Sequence, residues 1–544
     1  MSKAFSVKGK LVDIDNREVY PVKVQVSDGK ISKIVRIDSS PDQYILPGFI
    51  DAHVHIESSL LIPTEFARLA AVHGTVATVS DPHEIANVCG LKGVEYMVEN
   101  GRLSPFKFFF GAPSCVPATL FETAGATIDS TEIAKLLKRD DIYYLAEMMN
   151  WPGVLSGDAE VLKKIELAKK FGKPVDGHAP ALRGEKAVKY INVGISTDHE
   201  CVALDEARFK AQNGMKIAIR EGSAAKNFDA LIDLIDEFPD QIMFCSDDKH
   251  PDSLLLGHIN QLAARAVKKG KDLFNVLKAC CITPVQHYNI GVGRLRPNDP
   301  ADFVVVKDLV NFNVLETYIS GTLVAKEGQS KILSTKTESI NNFKAYPVSA
   351  NDFELDHQGG EAKVIVVEDS QLITGTIACE VPEKDGKVRV DINNDILKIA
   401  IINRYLPNVK PAVALVKNFG LKNGAIGSSV AHDSHNIIVV GTSDSLMAEA
   451  ANLIIKEKGG LSAVGPTGSK VLNLPVAGLM SNSDGFSVAS SYIEVDKKAK
   501  ELGSGLQSPF MTLSFMGLLV IPHLKLSDKG LFDSDLFKFV KVFG

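Results

Sequence analysis

The chain has 544 residues, of which 45% are hydrophobic and 23% charged, values typical of a globular protein with roughly two to four domains. Its 60 Lys and Arg against 66 Asp and Glu give a formal charge of −6, which argues against a general nucleic-acid binder. The seven cysteines lack CxxC spacing, and the amino terminus lacks the apolar segment of a signal peptide. We therefore expect a cytoplasmic protein with reduced, mostly buried cysteines.

Residues 1–48 predict short strands, KLVDI, VKVQV and KISKIV, with a turn at residues 27–29. From residue 49 to about residue 285, short apolar runs alternate with segments of helical periodicity, such as EVLKKIELAKKFG and NFDALIDLIDEFP. The apolar runs predict eight strands, at residues 48–55, 75–80, 106–112, 142–148, 173–178, 194–200, 215–222 and 241–248. Eight strand–helix units over about 240 residues match the size of a (β/α)8 barrel.

After the predicted barrel, ADFVVVKD and GTLVAKEG return to the short strands seen before it. The polar residues 336–350 resemble a linker, and the segment after them mixes strands with helices. The expected fold class is therefore α/β, with three domains. A small β-sandwich domain is formed by both flanks, residues 1–48 and 286–335. A TIM-like (β/α)8 barrel covers residues 49–285, and a C-terminal α/β domain covers residues 350–544. The apolar stretch PFMTLSFMGLLVIPHL is broken by Pro522 and His523 and predicts buried core, not a membrane span.

The predicted strand ends carry side chains that bind metals. Chemistry in such barrels occurs at the carboxyl ends of the strands. His53 and His55 end the first strand, and residues two apart in a strand point to the same side. By itself this pair also fits two half-exposed histidines. Four histidines and two carboxylates at one end of the same barrel indicate a metal centre: His53, His55, Glu147, His178, His199 and Asp247. Imidazole with carboxylate suits Zn, Fe(II) or Mn(II).

These six side chains predict a centre with two ions. We expect His53, His55 and Asp247 to hold one ion, and His178 and His199 to hold a second. Glu147 is the expected carboxylate that bridges the two ions. A pair of metals about 3.5–4 Å apart lowers the pKa of a bound water toward about 7 and orients it. Asp247 is then placed to accept the proton of that water as it attacks.

The motifs resemble the amidohydrolase superfamily of metal-dependent hydrolases: HxH on the first strand within LPGFIDAHVHIESS, His on the fifth and sixth strands, and Asp on the eighth. Many members carry a lysine on the fourth strand that is carbamylated to bridge the metals, whereas YYLAEMMN offers Glu147 here. Over nearly its whole length, the chain resembles the bacterial adenine deaminases, through HIESS, SDPHEIANV, AEMMNWPGV, GHAP, TDHE, IREGS, CSDDKHPD, SSVAHDSHNIIVVGT and PFMTLSFMGLLVIPHLKLSDKGLFD.

This resemblance implies hydrolysis of adenine to hypoxanthine and ammonia, as in purine salvage, at a dinuclear Mn(II) or Fe(II) centre, with Zn(II) as an alternative ion. Adenine and water are then the expected partners, without nucleic acid or membrane, and a homodimer is the expected assembly. Water adds to C6 of the purine, N1 gains a proton and the amino group leaves, so the site needs an acid and a base. Asp247 is the expected base.

Three further residues near the strand ends are candidates for contact with the purine or for proton transfer. Glu200, beside the ligand His199, is a candidate acid toward the ring; the alternative is an ordinary carboxylate that orients the histidine. Glu84 or His83, in the DPHE stretch after the second strand, would contact the purine or assist proton transfer. The alternative for Glu84 is a first-turn carboxylate beside the helix dipole.

Two other groups have open assignments. Arg220, Glu221 and Ser223 end the seventh predicted strand, and a buried Arg–Glu pair is the interpretation favoured over a role in the site. His432 and His435 lie in HDSH, before a predicted strand of the last domain. These histidines either cap the pocket, if that domain folds over the barrel mouth, or belong to a polar turn.

Three rival functions remain to be compared. Zinc deaminases of the cytidine type carry H-x-E followed by P-C-x-x-C; HIE at residues 55–57 fits the first half, but no PCxxC occurs in the chain, which excludes that fold. A cyclic-amide hydrolase of the dihydroorotase or hydantoinase type would use the same metals, but the missing lysine on the fourth strand argues against it. A non-catalytic scaffold would usually lose metal ligands, whereas every expected position is filled here.

Overall fold

The computed structural model describes residues 4–544 and places eight parallel strands in the middle of the chain. They form sheets of five and three strands, in chain order: Phe49–Val54, Thr75–Ser80, Lys107–Ala112, Ile142–Met148, Val175–Gly177, Thr197–Asp198, Lys216–Arg220 and Ile242–Cys245. Each strand lies inside one of the eight ranges that the sequence predicts, so the positions of these strands are confirmed.

The two parallel sheets continue into each other and curve until the last strand meets the first. One parallel bridge joins Val175 to Ile195, between the sheets, and another joins Val54 to Asp247. Beside the second bridge, the Asp247 amide donates to the His53 carbonyl at 3.0 Å. The carboxyl ends of the first and last strands therefore lie side by side.

Helices alternate with these strands, and fourteen follow in chain order: Pro63–Ala71, His83–Cys89, Leu91–Arg102, Ser130–Leu137, Trp151–Ser156, Ala159–Lys170, Gly184–Asn192, Leu204–Gln212, Phe228–Leu231, Leu234–Glu237, Pro251–Leu256, Ile259–Lys268, Leu273–Cys281 and Thr283–Tyr288. A short 3-10 helix, Ile56–Ser59, follows the first strand. The predicted helix in NFDALIDLIDEFP is divided, because Ile232 and Asp233 have ψ values of −23° and −26°, which are typical of a 3-10 turn.

Strands from both flanks of the parallel set form one eight-stranded sheet, in spatial order: Gln329–Ser330, Thr322–Lys326, Val314–Ile319, Phe303–Val306, Tyr44–Pro47, Phe5–Asp13, Glu18–Ser27 and Lys30–Arg36. Tyr44–Pro47 runs parallel to Phe5–Asp13, and the other neighbours are antiparallel. The sheet encloses its own apolar cluster, which includes the fully buried Val22, Ile31 and Phe303. Residues from the two ends of this region therefore share one sheet.

A second eight-stranded sheet lies in the C-terminal region, in spatial order: Gly375–Cys379, Ala362–Val366, Ala412–Lys417, Ile396–Ile402, Ile437–Gly441, Ala425–Ser428, Gly460–Gly465 and Gly468–Asn473. Its helices are Ala350–Phe353 (3-10), Asp444–Glu457, Gly485–Glu501 and Pro509–Phe515. The remaining strands form two small sheets: Glu383–Lys384 with Lys387–Val388, and Leu524–Ser527 with Gly530–Asp533 and Lys538–Phe539.

One apolar cluster connects the parallel strands with the C-terminal region. It contains Ile50 and Val79 of the parallel strands together with Ile401, Tyr492 and Phe515 of the C-terminal region. Burial of apolar area at about 25 cal/mol per Å² makes such a continuous core the main attraction between two layers. The two regions are therefore packed together as parts of one hydrophobic interior.

The apolar stretch near the carboxyl end lies in this interior, as predicted. Phe510, Met511, Leu513 and Phe515 are each at most 2% exposed. No helix within residues 4–544 combines the length and the apolar character needed to cross a membrane. All seven cysteines are free thiols, and five of them are buried.

Candidate active site

The six side chains predicted as metal ligands meet at the carboxyl ends of the parallel strands. His53 Nε2 lies 3.2 Å from His55 Nε2 and 3.6 Å from Asp247 Oδ1. The ring of His199 stacks on that of His53, with centroids 4.0 Å apart and planes 18° apart. Each of the six residues is between 2% and 6% exposed, so the group is shielded from bulk water.

Glu147 lies at the centre of this group and contacts histidines with both oxygens. Its Oε1 is 3.2 Å from His55 Nε2, while its Oε2 is 2.7 Å from His178 Nδ1 and 3.2 Å from His199 Nε2. Burial raises the pKa of Glu147, but the surrounding histidines outweigh this effect and hold the pKa well below its ordinary value. The carboxylate thus joins the first-strand pair to the two later histidines, as a bridging ligand would.

A turn of the backbone directs Asp247 toward the first-strand histidines. The last parallel strand ends at Cys245, and Asp247 has a φ of 53°, in the left-handed region that few non-glycine residues adopt. Its Oδ1 lies 3.3 Å from His55 Nε2, and its Oδ2 accepts a hydrogen bond from Arg220 Nη1 at 2.6 Å. Strained conformations of this kind cluster at functional sites.

Arg220 corrects one prediction from the sequence. It does not pair with Glu221; instead its guanidinium donates to Asp247 and, through Nη2, to Glu200 Oε2 at 3.0 Å. Glu221 pairs with Arg265 at 2.6 Å. The expected pair is wrong because consecutive residues of a strand point to opposite sides, so Arg220 and Glu221 cannot face each other.

Glu200 therefore occupies a more constrained position than the sequence suggested. Both of its oxygens accept from Arg220, and Oε1 also lies 3.5 Å from His199 Nε2 and 3.7 Å from His178 Nδ1. Arg220 Nη1 contacts Glu200 and Asp247 at the same time. The guanidinium thus holds the two carboxylates beside each other at the edge of the metal-ligand group.

A second cluster forms where the strand Thr75–Ser80 ends. Asp81 Oδ1 accepts from the His83 amide at 3.1 Å, and its Oδ2 is 3.0 Å from His83 Nδ1. His83 Nδ1 also lies 3.5 Å from Glu147 Oε1, and its Nε2 lies 3.5 Å from Glu84 Oε1. His83 therefore stands between the metal-ligand group and Glu84, which is in the first turn of the helix His83–Cys89.

The C-terminal region reaches this second cluster. His432 Nδ1 contacts Glu84 Oε1, and His435 Nε2 contacts Glu84 Oε2. Asp433 Oδ1 lies 3.7 Å from His83 Nε2. Burial raises the pKa of Glu84, but the positive charge available on His432 and His435 outweighs it and holds the pKa well below the ordinary value. In the structure, His432 and His435 therefore lie over the strand ends, as expected if the last domain folds over the barrel mouth, and not in a separate polar turn.

A single cavity connects both clusters. Its wall from the parallel-strand region consists of His55, His83, Glu84, Glu147, Met149, His178, His199, Glu200, Asp247 and Asp248. Its wall from the C-terminal region consists of Leu372, His432, Asp433, Phe515 and Leu518. All four residues predicted as catalytic, Asp247, Glu200, Glu84 and His83, line this cavity. The sequence offers no local signal for Leu372 or Leu518, because contact with the cavity depends on packing between distant segments.

A buried network supports the metal-ligand group from below the strand ends. Asp51 Oδ1 accepts from the Ser246 amide at 3.0 Å, and Asp51 Oδ2 lies 2.8 Å from His258 Nε2. His258 Nδ1 lies 2.7 Å from Thr75 Oγ1. Because Ser246 precedes Asp247, these bonds fix the turn that carries the ligand. Sequence analysis missed this network, although Asp51 stands two residues before His53 and faces the same side of its strand.

The donor atoms fit divalent cations. Two imidazole nitrogens 3.2 Å apart, His53 Nε2 and His55 Nε2, repel through their lone pairs unless a proton or a cation lies between them. Across the described residues, His53 Nδ1 and His178 Nε2 are buried without a hydrogen-bond partner. Several triads here place one ligand atom each within 4.8 Å of the others, including His53, His55 and Asp247. Imidazole with carboxylate is the donor set of Zn, Fe(II) and Mn(II).

Comparison with known proteins gives two family matches and close relatives. The sequence-family model described as "Amidohydrolase family" matches residues 44–324. The family model described as "Adenine deaminase C-terminal domain" matches residues 371–538. The adenine deaminase of Salinibacter ruber is 54% identical over 544 residues, which is 100% of each chain. That of Sulfurovum sp. is 54% identical and that of Borreliella burgdorferi 50% identical, both over 98% of this chain and 99% of theirs.

Proposed function

Because this chain belongs to the adenine deaminase family of the amidohydrolases, we propose that the cavity between its strand ends and its C-terminal region is where it acts on adenine. The chain is a hydrolase of C–N bonds that converts adenine to hypoxanthine and ammonia. The observation that supports this place is the meeting of six histidine and carboxylate side chains, five of which line a cavity whose other wall comes from residues 371–538.

The family implies a divalent metal centre, and the donor set fits one. We propose two ions, Mn(II) or Fe(II), with Zn(II) as the alternative. His53, His55 and Asp247 would hold the first ion, and His178 and His199 would hold the second. Glu147 would be a ligand of both ions. Such ions, when bound, polarise a water molecule and lower its pKa toward about 7.

Asp247 is proposed as the base that takes the proton of the attacking water. Arg220 donates to Asp247 Oδ2, so Oδ1, which faces His53 and His55, is the oxygen that would accept the proton beside the first ion as water adds to C6 of the purine. N1 must gain a proton as C6 becomes tetrahedral, and the amine must gain one to leave as ammonia. Because Arg220 Nη1 contacts both carboxylates, Glu200 is held near Asp247 and is proposed as the acid toward N1.

Glu84 and His83 are proposed to bind the purine or to assist the departure of the amine. His83 lies between Glu147 and Glu84, and both residues line the cavity. Two imidazoles keep Glu84 supplied with hydrogen-bond donors, which suits a carboxylate that accepts from the substrate. The alternative, a first-turn carboxylate that only complements the helix dipole, leaves its contacts with His432 and His435 unexplained.

We propose that the two parallel sheets form one (β/α)8 barrel of the TIM type. The bridges at both of their edges support this closure. The division into a small flanking β domain, a barrel and a C-terminal α/β domain, with the boundaries given by the sequence, is part of the same proposal. A homodimer and a role in purine salvage stay predictions.

The test is turnover by the purified full-length protein after Mn(II) supplementation. We expect hypoxanthine and ammonia to form from adenine in equal amounts, and no ring opening of dihydroorotate. Removal of metal with a chelator should abolish turnover, and addition of Mn(II) or Fe(II) should restore it. Ring opening without deamination, or full turnover by protein with less than one ion per chain, would contradict the proposal.

A further inference from the structure

One buried nitrogen of the C-terminal wall has no partner within residues 4–544. His432 is 3% exposed and lines the cavity, and its Nδ1 contacts Glu84. Its Nε2, on the other side of the ring, is buried and makes no hydrogen bond. An unpaired polar atom in such a place costs about 1–3 kcal/mol, so native proteins rarely retain one without a use.

The loop that carries His432 is held by many hydrogen bonds. Arg404, which is fully buried, donates to the carbonyls of His435 at 3.1 Å and Ala477 at 2.5 Å, and its amide donates to Asn436 Oδ1 at 3.0 Å. The Tyr405 hydroxyl donates to the Ser434 carbonyl at 2.5 Å. The position of the imidazole is therefore fixed by the C-terminal region and does not depend on a flexible loop.

The neighbours of His432 determine which of its nitrogens is available. The Ala431 amide donates to His435 Nδ1 at 3.3 Å, so His435 carries its proton on Nε2 and donates it to one oxygen of Glu84. The second oxygen of Glu84 accepts from His432 Nδ1. Burial lowers the pKa of His432, but Glu84 and Asp248 raise it to about 9. Nε2 is thus left without a protein partner, and the raised pKa favours a hydrogen on it.

The surroundings of His432 match a flat heteroaromatic molecule. The Phe515 ring lies against the imidazole, with centroids 5.1 Å apart and planes 29° apart. Leu372 and Leu518 complete this apolar side of the cavity. Aromatic and aliphatic walls with a few fixed polar groups are typical of sites for small planar ligands.

We propose that His432 is a substrate-binding residue of the deaminase, whose Nε2 donates a hydrogen bond to a ring nitrogen of the purine while Glu84 and His435 hold the imidazole in place. This inference rests on the proposed function. The reaction at C6 engages N1 and the amino group, so the ring nitrogens left to accept from His432 are N3 and whichever of N7 and N9 carries no hydrogen. The C-terminal region would then contact the purine at a ring nitrogen that takes no part in the reaction at C6.

Substitution of His432 by asparagine or by glutamine separates the roles of its two imidazole nitrogens. In His432→Asn the amide reaches only the position of Nδ1, so the contact with Glu84 is kept and the contact with the purine is lost. In His432→Gln the amide nitrogen reaches near the position of Nε2 and should partly rescue binding. His523→Asn is the matched control, because His523 is an exposed histidine that pairs with Asp535.

Deaza analogues locate the contact. Inhibition constants against adenine are measured for 3-deazaadenine, 7-deazaadenine and 9-deazaadenine with the metal-loaded wild type and each variant. If N3 accepts, we expect the wild type to bind 3-deazaadenine about 10- to 100-fold more weakly than the other two, the range for one hydrogen bond to a charged donor. If N7 or N9 accepts, 7-deazaadenine and 9-deazaadenine should both bind more weakly than 3-deazaadenine by a similar factor, because the five-membered ring of each keeps only an N–H. His432→Asn should bind all three alike and raise KM for adenine by a similar factor, and His432→Gln should fall between.

Each outcome has a separate meaning for the two proposals. A wild type that does not deaminate adenine contradicts the proposed function itself. If the wild type deaminates adenine and His432→Asn still distinguishes the analogues as the wild type does, the inference about His432 is overturned and the function stands. A lower metal content in His432→Asn than in the control would also overturn it, since the imidazole would then support the metal centre and not the purine.

Discussion

The two walls of the cavity are built in different ways. On one side, the predicted metal ligands lie at the ends of parallel strands. The backbone hydrogen bonds between neighbouring strands set the spacing of His53, Glu147 and Asp247. On the other side, His432 and His435 stand on a loop that side-chain hydrogen bonds from Arg404 and Tyr405 hold. The difference teaches that the chemistry rests on the sheet, while the shape of the cavity rests on packing between regions.

Substitution of Asp247 tests the side that carries the chemistry and has the largest expected effect. In Asp247→Asn the side chain keeps its shape but cannot accept the proton of the attacking water, so kcat should fall by about 10³-fold. Steady-state kinetics with adenine check this, with metal content and circular dichroism measured in parallel. Asp240→Asn, at an exposed aspartate, is the control. A variant that keeps kcat within tenfold of the wild type would remove Asp247 from the proton transfer.

Substitution of Arg404 tests whether the other wall is as separate as the geometry indicates. Arg404→Met removes the donors to His435 and Ala477 and should lower the free energy of unfolding by about 2–4 kcal/mol. Because the proposed metal ligands lie at the ends of the parallel strands, kcat/KM should fall by about tenfold with the metal content unchanged. Kinetics, metal analysis and denaturant unfolding check this, with the exposed Arg296→Met as the control. Loss of metal together with activity would show that the two walls are not independent.

Substitution of Tyr405 gives the smallest expected effect and sharpens the comparison. Tyr405→Phe removes one hydrogen bond, from the hydroxyl to the Ser434 carbonyl, and nothing else of the side chain. The free energy of unfolding should fall by about 1 kcal/mol, and kcat/KM by about twofold to fourfold. Tyr346→Phe, at an exposed tyrosine, should change neither quantity. An effect as large as that of Arg404→Met would mean that the loop is held at Ser434 and not at His435.

The parts of the structure that local patterns govern were predictable from the sequence. The alternation of side chains along a strand predicts that His53 and His55 point to the same side. The convergence of the strand ends in a barrel predicts that Glu147, His178 and Asp247 lie near them. The same alternation, applied to residues 220 and 221, would have separated Arg220 from Glu221. That error came from treating neighbours in sequence as partners in space.

Contacts between distant segments were beyond the reach of such patterns. Glu84 and His432 are 348 positions apart, and no periodicity in either segment indicates that they meet. The HDSH motif suggested a site, but its partner could be found only from the packing of the C-terminal region. The network of Asp51, His258 and Thr75 was missed for the same reason, since its members come from three separate elements.

The pairing of Glu84 with two histidines of the last region limits how this chain can be divided. A fragment that ended at residue 335 would keep all six proposed metal ligands, yet Glu84 would face water in place of His432 and His435. The cavity therefore needs residues from both regions, and neither region can form it alone.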